Sequence, residues 1–162
     1  MMADTKLSAL PETGTPTDAD QLYLNDGGTS KRMTVSNAKD NYFLKSPELK
    51  DYSEEETAPT SSGGTLTLDI TNGNVFSHTL TENITTLALT GWPASGKAGS
   101  MTLILTQHAS APKTLTWPGD VLWDSGNTPS ISSSNGAVDI YSFISVDAGA
   151  TVYGFTGGKT FA

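Results

Sequence analysis

Short runs in which apolar residues alternate with polar residues recur along the chain after residue 64. A period of two is typical of half-buried β-strands, and segments rich in Gly, Pro and Asn separate these runs. The central segment "TLILT" predicts an inner strand of a sheet. Several short strands at this spacing predict a mainly β protein that ends in an antiparallel β-sandwich or jelly-roll-like domain. Strands are predicted near residues 65–70, 74–80, 83–90, 100–108, 113–116, 137–147 and 151–156.

The strand predicted over residues 137–147 is apolar on both of its faces. Val138, Ile140, Ile144 and Val146 share one parity, whereas Tyr141 and Phe143 have the other. A strand with one solvent-exposed face alternates apolar and polar residues. Both faces of this strand are therefore expected to be covered, one by the core of the domain and the other by a further layer.

The first part of the chain has a different pattern. An extended, Pro-containing arm precedes "QLYLNDGGTSKRMTV", in which two alternating runs flank a Gly turn and predict a β-hairpin. Ser36 is a suitable N-cap and Pro47 a stop, so a short helix is predicted near residues 37–44. A hairpin with one or two helical turns buries little apolar surface, and we expect it to pack against another chain.

Charge and turn residues divide the chain. Residues 1–56 carry six basic and eleven acidic residues, whereas residues 57–162 carry three basic and six acidic residues. Between the two regions lies "SEEETAPTSSGG", whose acidic run, Pro59 and paired glycines predict a linker. The resulting domains are residues 1–52, a linker at 53–64 and a β-sandwich knob at 65–162. A solvated loop inside one domain is the alternative.

The composition excludes several functional classes. The net charge is −8 with a single Arg, which argues against a nucleic-acid partner because such proteins need a basic surface. The chain has no Cys, so it has neither disulfides nor thiol chemistry. No signal peptide and no apolar run of about 18 residues is visible, so neither secretion nor membrane insertion is predicted.

Motifs for catalysis and cofactor binding are incomplete. "GWPASGKA" at residues 91–98 approaches a phosphate-binding loop, but Ala98 replaces the hydroxyl residue and a strand pattern follows where a helix is required. His78 and His108 stand alone in strand patterns, without the partners that a metal site needs. Asp120 and Asp124 lie in one turn, where solvation explains them. We therefore predict no enzyme activity, no cofactor and no metal.

Three aromatic residues at or near turns are candidates for ligand contact. Trp92, Trp123 and Tyr153 would form a speculative stacking surface for a glycan. The competing interpretation, which we favour for the tryptophans, is that they close the ends of the sandwich.

Two segments resemble proteins of tailed-bacteriophage virion appendages, of the tail fibre, head fibre or decoration type. The first is "KLSALPETGTPTDADQLYLNDGGTSKRMTVSNAKDNYF", and the second is "LTWPGDVLWDSGNTPSISSSNGAVDIYSFISVDAGATVYGFTGGKTF". The resemblance implies a structural homotrimer that is made in the host bacterial cytoplasm, anchored to other virion proteins by its N-terminal region. The absence of a shaft or repeat favours a short fibre or a capsid decoration over a long fibre.

The resemblance also suggests roles for individual residues. Tyr141 and Phe143 become candidates for the oligomer interface, although a layer from the same chain remains the alternative cover for that face. The candidate virion anchor comprises Leu7, Leu10, Leu22 and Leu24. The main alternative function is a fibre tip that binds a host surface glycan; a polysaccharide-cleaving enzyme is a third, less favoured hypothesis because it needs clustered carboxylates.

Overall fold

A computed structural model describes residue 19, residues 21–26, residues 28–35 and residues 52–161. The chain divides into two compact units, residues 1–52 and residues 53–162.

The described part of the first unit is an antiparallel hairpin. Strand β1 spans Gln21–Asp26 and strand β2 spans Thr29–Thr34, with Asp26 opposite Thr29 at the turn. Gly28 in the turn has a φ of 83°, a conformation that Gly adopts without steric cost. The predicted hairpin is confirmed, and the helix predicted near residues 37–44 lies outside the described residues.

The second unit contains eight strands joined by turns and two short 3₁₀ turns. The strands are β3 (Glu56–Thr57), β4 (Thr65–Asp69), β5 (Val75–Thr79), β6 (Thr86–Thr90), β7 (Gly99–Thr106), β8 (Val121–Trp123), β9 (Val138–Ser145) and β10 (Val152–Phe161). The prediction of a mainly β domain is confirmed. Strand β7, which contains "TLILT", lies between β5 and β9 and is therefore an inner strand, as predicted.

The sheets contain both parallel and antiparallel pairs, whereas the sequence pattern predicted an antiparallel sandwich. Six strands form one sheet in the order β3-β5-β7-β9-β10-β8, and β4 pairs with β6 in a second sheet. The pairs β3–β5, β5–β7, β8–β10 and β4–β6 are parallel. From β3 to β7, consecutive strands belong alternately to the large and the small sheet. The chain therefore crosses from β5 to β7 through β6 of the other sheet, and this crossover makes β5 and β7 parallel neighbours.

One apolar core lies between the two sheets. Leu66 and Leu68 of the small sheet belong to the same buried cluster as Phe76, Leu103 and Tyr141 of the large sheet. The inner face of each sheet follows from the alternation of its strands. Every second residue is buried in β7 and β9 of the large sheet, and Leu66 and Leu68 are the buried residues of β4 in the small sheet. This two-layer arrangement is that of a β-sandwich.

Two segments differ from their predicted roles. The predicted linker at residues 53–64 contains β3, whose Glu56 pairs with Val75, so part of this segment extends the large sheet. Residues 113–116, predicted as a strand, form only an isolated bridge between Leu115 and Ile84. Conversely, the three-residue strand β8 has no sequence prediction, because a run of three residues shows no measurable period.

Among the described residues, no helix has the length and apolar character needed to cross a membrane.

Candidate functional surface

The large sheet turns one side away from the core, and this side is the principal candidate surface. We call it the outer face and define it by the outward residues of five strands. On β9 and β7 the outward residues are half-buried apolar or hydroxyl side chains, with the exception of exposed Ser100. The outer face comprises Val75, Ser77, Thr79, Ser100, Thr102, Ile104, Thr106, Leu122, Val138, Ile140, Ser142, Ile144, Tyr153 and Phe155.

Tyr141 and Phe143, predicted at the oligomer interface, lie in the core instead. Tyr141 is 0% exposed and Phe143 is 1% exposed. Trp117 and Trp123 pack edge-to-face on Tyr141, with the Trp117 ring centre 4.6 Å from that of Tyr141. The further layer that covers these two rings comes from the same chain, because Trp117 and Trp123 lie in the segment between β7 and β9 and pack on them. The other side of β9, with Val138, Ile140 and Ile144, was expected to face the core but forms part of the outer face.

A groove lies along the β8–β10 edge of the large sheet. Its volume is about 660 Å³, and it combines exposed apolar and aromatic side chains with polar groups. Leu122 is 53% exposed, Tyr153 46% and Phe155 55%, although all three are large hydrophobic residues. The groove is lined by Leu122, Trp123, Asp124, Asn127, Tyr153, Gly154, Phe155 and Thr156.

The three residues predicted to contact a glycan do not share one site. Tyr153 is exposed in the groove. Trp123 contributes to a wall of the groove, but the residue is only 8% exposed and packs in the core. Trp92 is not among the groove residues; its indole N–H donates to the Leu89 carbonyl at 3.1 Å, and the ring packs against the core. The structure thus places both tryptophans as packing residues.

Asp139 is a buried carboxylate at the centre of a hydrogen-bond network that the sequence analysis did not identify. The backbone N–H and the hydroxyl of Ser132 each donate to it at 2.6 Å. The Thr160 N–H donates at 2.9 Å and the Tyr141 hydroxyl at 3.0 Å. The network joins the end of β10 and the loop before β9 to the core. Its only sequence signal is an acidic residue within an apolar strand pattern.

The network determines the ionisation of its members. Burial raises the pKa of Asp139, but the hydrogen bonds from Ser132, Thr160 and Tyr141 outweigh this effect and hold the pKa below its ordinary value. Burial and the adjacent carboxylate both raise the pKa of Tyr141. The pair therefore consists of a carboxylate and a neutral phenol near neutral pH. The four hydrogen bonds join the loop before β9, the end of β10 and β9 itself. They occupy both carboxylate oxygens, so neither oxygen is available to a ligand.

Gln107 is a second buried polar residue that fastens loops. Its side-chain amide donates to the carbonyls of Lys113 and Ser132, each at 2.9 Å. Its carbonyl oxygen accepts from the N–H groups of His108 and Lys113 at 2.8 Å. All four bonds go to the backbone, so this residue replaces the ladder pairing that the irregular segment lacks.

The histidines and the residue 91–98 segment have structural surroundings. His78 is buried, and its Nδ1 lies 2.8 Å from the Pro59 carbonyl, a contact that holds the segment after β3 against β5. His108 accepts the N–H groups of Ser110 and Ala111 at Nδ1. Residues 91–98 connect β6 to β7 as a loop. Within the described residues, no cluster of three or more His, Cys, Asp or Glu could hold a metal ion.

The candidate anchor residues are only partly within the described chain. Leu7 and Leu10 lie outside the described residues. Leu22 and Leu24 belong to β1, where their backbones pair with Met33 and Lys31. Their role as an anchor stays a prediction.

Comparison with known proteins identifies the family. Residues 63–147 match the family described as "Putative phage tail fibre C-terminal domain", which is more than half of the chain and spans β4 to β9. No curated protein and no solved structure matches the chain significantly. Most of the sandwich core thus lies within the matched region, whereas β10 follows it, and the chain is a member of the phage tail fibre C-terminal domain family and a structural tail fibre protein.

Proposed function

We propose that the chain is the subunit of a short homotrimeric tail fibre, which residues 1–52 attach to other virion proteins and whose β domain is displayed outward. The observation that carries this proposal is the extent of the family match. It spans residues 63–147, which hold six of the eight strands of the β domain, whereas the first unit lies outside it. A tail fibre must both join the particle and project from it, and the chain has two units available for these two tasks.

The attachment is tested with variants in the full-length chain. Replacing Leu22 and Leu24 by Asp places charges on the face of the hairpin that the sequence pattern predicts to be buried against a partner, and burying an unpaired carboxylate is strongly unfavourable. We expect these variants to be lost from virions that lack the native protein, as is a chain without residues 1–52. Gln21→Asp, at an exposed position of the same strand, is the matched control and should be incorporated normally.

Gel analysis and electron microscopy of the particles measure incorporation. Normal occupancy of the truncated chain would show that the attachment surface lies in the β domain. Labelling the chain in intact particles separates a tail location from the alternative, a capsid decoration or head fibre. A label on the head would refute the tail fibre assignment of this chain within the virion.

The second candidate function is binding of a host surface glycan in the groove. One observation favours it: Tyr153 and Phe155 expose aromatic rings beside the polar side chains of Asp124 and Asn127. Sugars stack on aromatic faces and use such polar groups for orientation. A glycan array probed with the wild-type chain and with Tyr153→Ala tests it; binding that the substitution leaves unchanged would exclude this groove.

No catalytic role is part of the proposal. Asp124 lies in the groove and Asp120 is exposed in the preceding turn. A glycosidase needs two carboxylates facing one another across a substrate, whereas the groove contains one. Release of sugar from bacterial polysaccharide by the purified chain would contradict this part of the proposal.

A further inference from the structure

The outer face is notable for the charge it lacks. The outward residues of β5, β7 and β9 are aliphatic or carry hydroxyl groups, and those of β8 and β10 up to Phe155 are apolar. Among the described residues, the charged side chains at this face lie on its margins: Glu56 of the edge strand β3 accepts a hydrogen bond from Ser77, Asp124 lines the groove, and Lys159 lies near the end of β10. The chain as a whole has a net charge of −8. A large neutral surface on an acidic protein requires a specific explanation.

Neutrality identifies the partner that this face fits. A partner with opposite charge would be matched by charged residues on the surface that binds it. In a symmetric assembly, by contrast, residues near the rotation axis meet their own copies, so any charge there would oppose a like charge. A face without charge meets this condition, and charges at the margin remain in contact with water.

The size of the face determines how many of its strands a stable contact must use. Five strands at a spacing of about 4.8 Å span about 19 Å, and the eight residues of β7 or β9 at about 3.4 Å each span about 27 Å. The projected area is on the order of 500 Å², and the accessible area of a corrugated surface is larger. Standard interfaces bury about 800 Å² on each partner. A contact confined to one or two strands would be too small.

We propose that the outer face packs against the outer faces of two other copies of this chain, with β7 and β9 nearest the symmetry axis and the β8–β10 edge, which carries the groove, at the solvent-exposed rim. The inference rests on the proposed homotrimer and adds to it the surface that joins the subunits. At the centre of this surface the hydroxyl oxygens of Thr102 and Ser142 lie 3.3 Å apart, flanked by Ile104, Ile140 and Ile144. Three sheets facing one axis complete the burial of these isoleucines, which are only partly buried in a single chain.

Substitution of Ser142 by a charged residue tests the face in the full-length chain. Ser142→Asp points away from the core, so the monomer retains its sandwich, but three carboxylates would meet at the axis. We expect light scattering at micromolar concentration to show a threefold drop in mass relative to the wild type. Thr67→Asp, on the exposed side of β4 in the other sheet, is the matched control and should keep the wild-type mass. Circular dichroism and melting curves verify that each variant is folded.

A charge exchange makes the test specific for contact between identical surfaces. Ser142→Lys alone should also dissociate, whereas an equimolar mixture with Ser142→Asp should reassociate into mixed trimers, because two of the three pairs at the axis then join opposite charges. The chain contains no Cys, so Ser142→Cys offers an independent measurement: under oxidising conditions it should yield disulfide-linked pairs of chains, and Thr67→Cys should not.

The outcomes separate this inference from the proposed function. A wild-type chain that is monomeric would overturn both. A trimeric wild type whose mass is unchanged by Ser142→Asp and Ser142→Lys would overturn only the assignment of the face. Failure of Ser142→Cys to crosslink in an oligomeric sample would likewise refute the placement of β9 near the axis.

Discussion

Asp139→Asn is the substitution whose effect follows most directly from the structure. It preserves the size of a side chain that accepts four hydrogen bonds, from Ser132 N–H and hydroxyl, Thr160 N–H and Tyr141 hydroxyl. Each carboxylate oxygen accepts one bond from a backbone N–H and one from a hydroxyl. In the variant, an NH₂ group replaces one of these two oxygens. The hydroxyl that donated to that oxygen can rotate and accept a hydrogen bond from the NH₂ group, but the backbone N–H that donated to it loses its acceptor.

The expected cost combines two contributions. A buried N–H without a partner costs about 1–3 kcal/mol, and the remaining bonds lose the extra strength that a charged acceptor gives them. We expect Asp139→Asn to lower the free energy of unfolding by about 2–4 kcal/mol. Asp120→Asn, at an exposed position in a turn, is the matched control and should change it by less than about 0.5 kcal/mol.

The pH dependence provides the second part of this prediction. Because the pKa of Asp139 is lowered in the folded chain, its stabilisation is fully present above the unfolded pKa of about 3.9 and is lost as the pH falls below it. The difference in stability between the wild type and Asp139→Asn should therefore be constant between about pH 5 and 8 and shrink towards pH 3.

Denaturant titration followed by tryptophan fluorescence measures both effects, because Trp117 and Trp123 pack on Tyr141 beside the carboxylate. A loss of less than about 0.5 kcal/mol at neutral pH would show that the network adds little to stability. A difference that persists unchanged at pH 3 would show that the charge of Asp139 is not its origin.

Two further substitutions probe the loops that close the sandwich. Gly149→Ala should destabilise the domain by more than about 1 kcal/mol, because Gly149 has a φ of 84° and a Cβ there would collide with the Trp92 ring; Gly119→Ala, where a Cβ meets no atom within 4 Å, is the control in thermal melts. Gln107→Glu should lower the melting temperature at neutral pH, because a carboxylate would replace the amide that donates to two backbone carbonyls, and equal melting of variant and wild type would contradict this role.

Most of the strand positions could be predicted from the sequence, because alternation of apolar and polar residues is a local property. Strands β4, β5, β7, β9 and β10 begin within two residues of their predicted starts. The short edge strands β3 and β8 escaped prediction, since two or three residues have no period and β3 lies in an acidic stretch. Their pairing depends on the neighbouring strands β5 and β10.

The candidate surface was less accessible to prediction. The sequence showed that β9 is apolar on both faces, but the assignment of those faces was wrong: Tyr141 and Phe143 are buried in the core, and Ile140 and Ile144 point outward. The groove combines β8 with β10, strands separated by about 30 residues, and the exposure of Phe155 depends on that pairing. Neither arrangement has a local signal.

The sequence by itself determined that this protein is built of short β-strands, that a hairpin precedes them, and that its residues resemble those of phage appendages. These properties are encoded by side-chain alternation, turn residues and short motifs within a few positions of one another. Only the tertiary structure decided the mixed sheet order, the side of β9 that faces the core and the closure of the network around Asp139. Each of these depends on which distant segments pack together, because burial and hydrogen bonding are properties of neighbours in space.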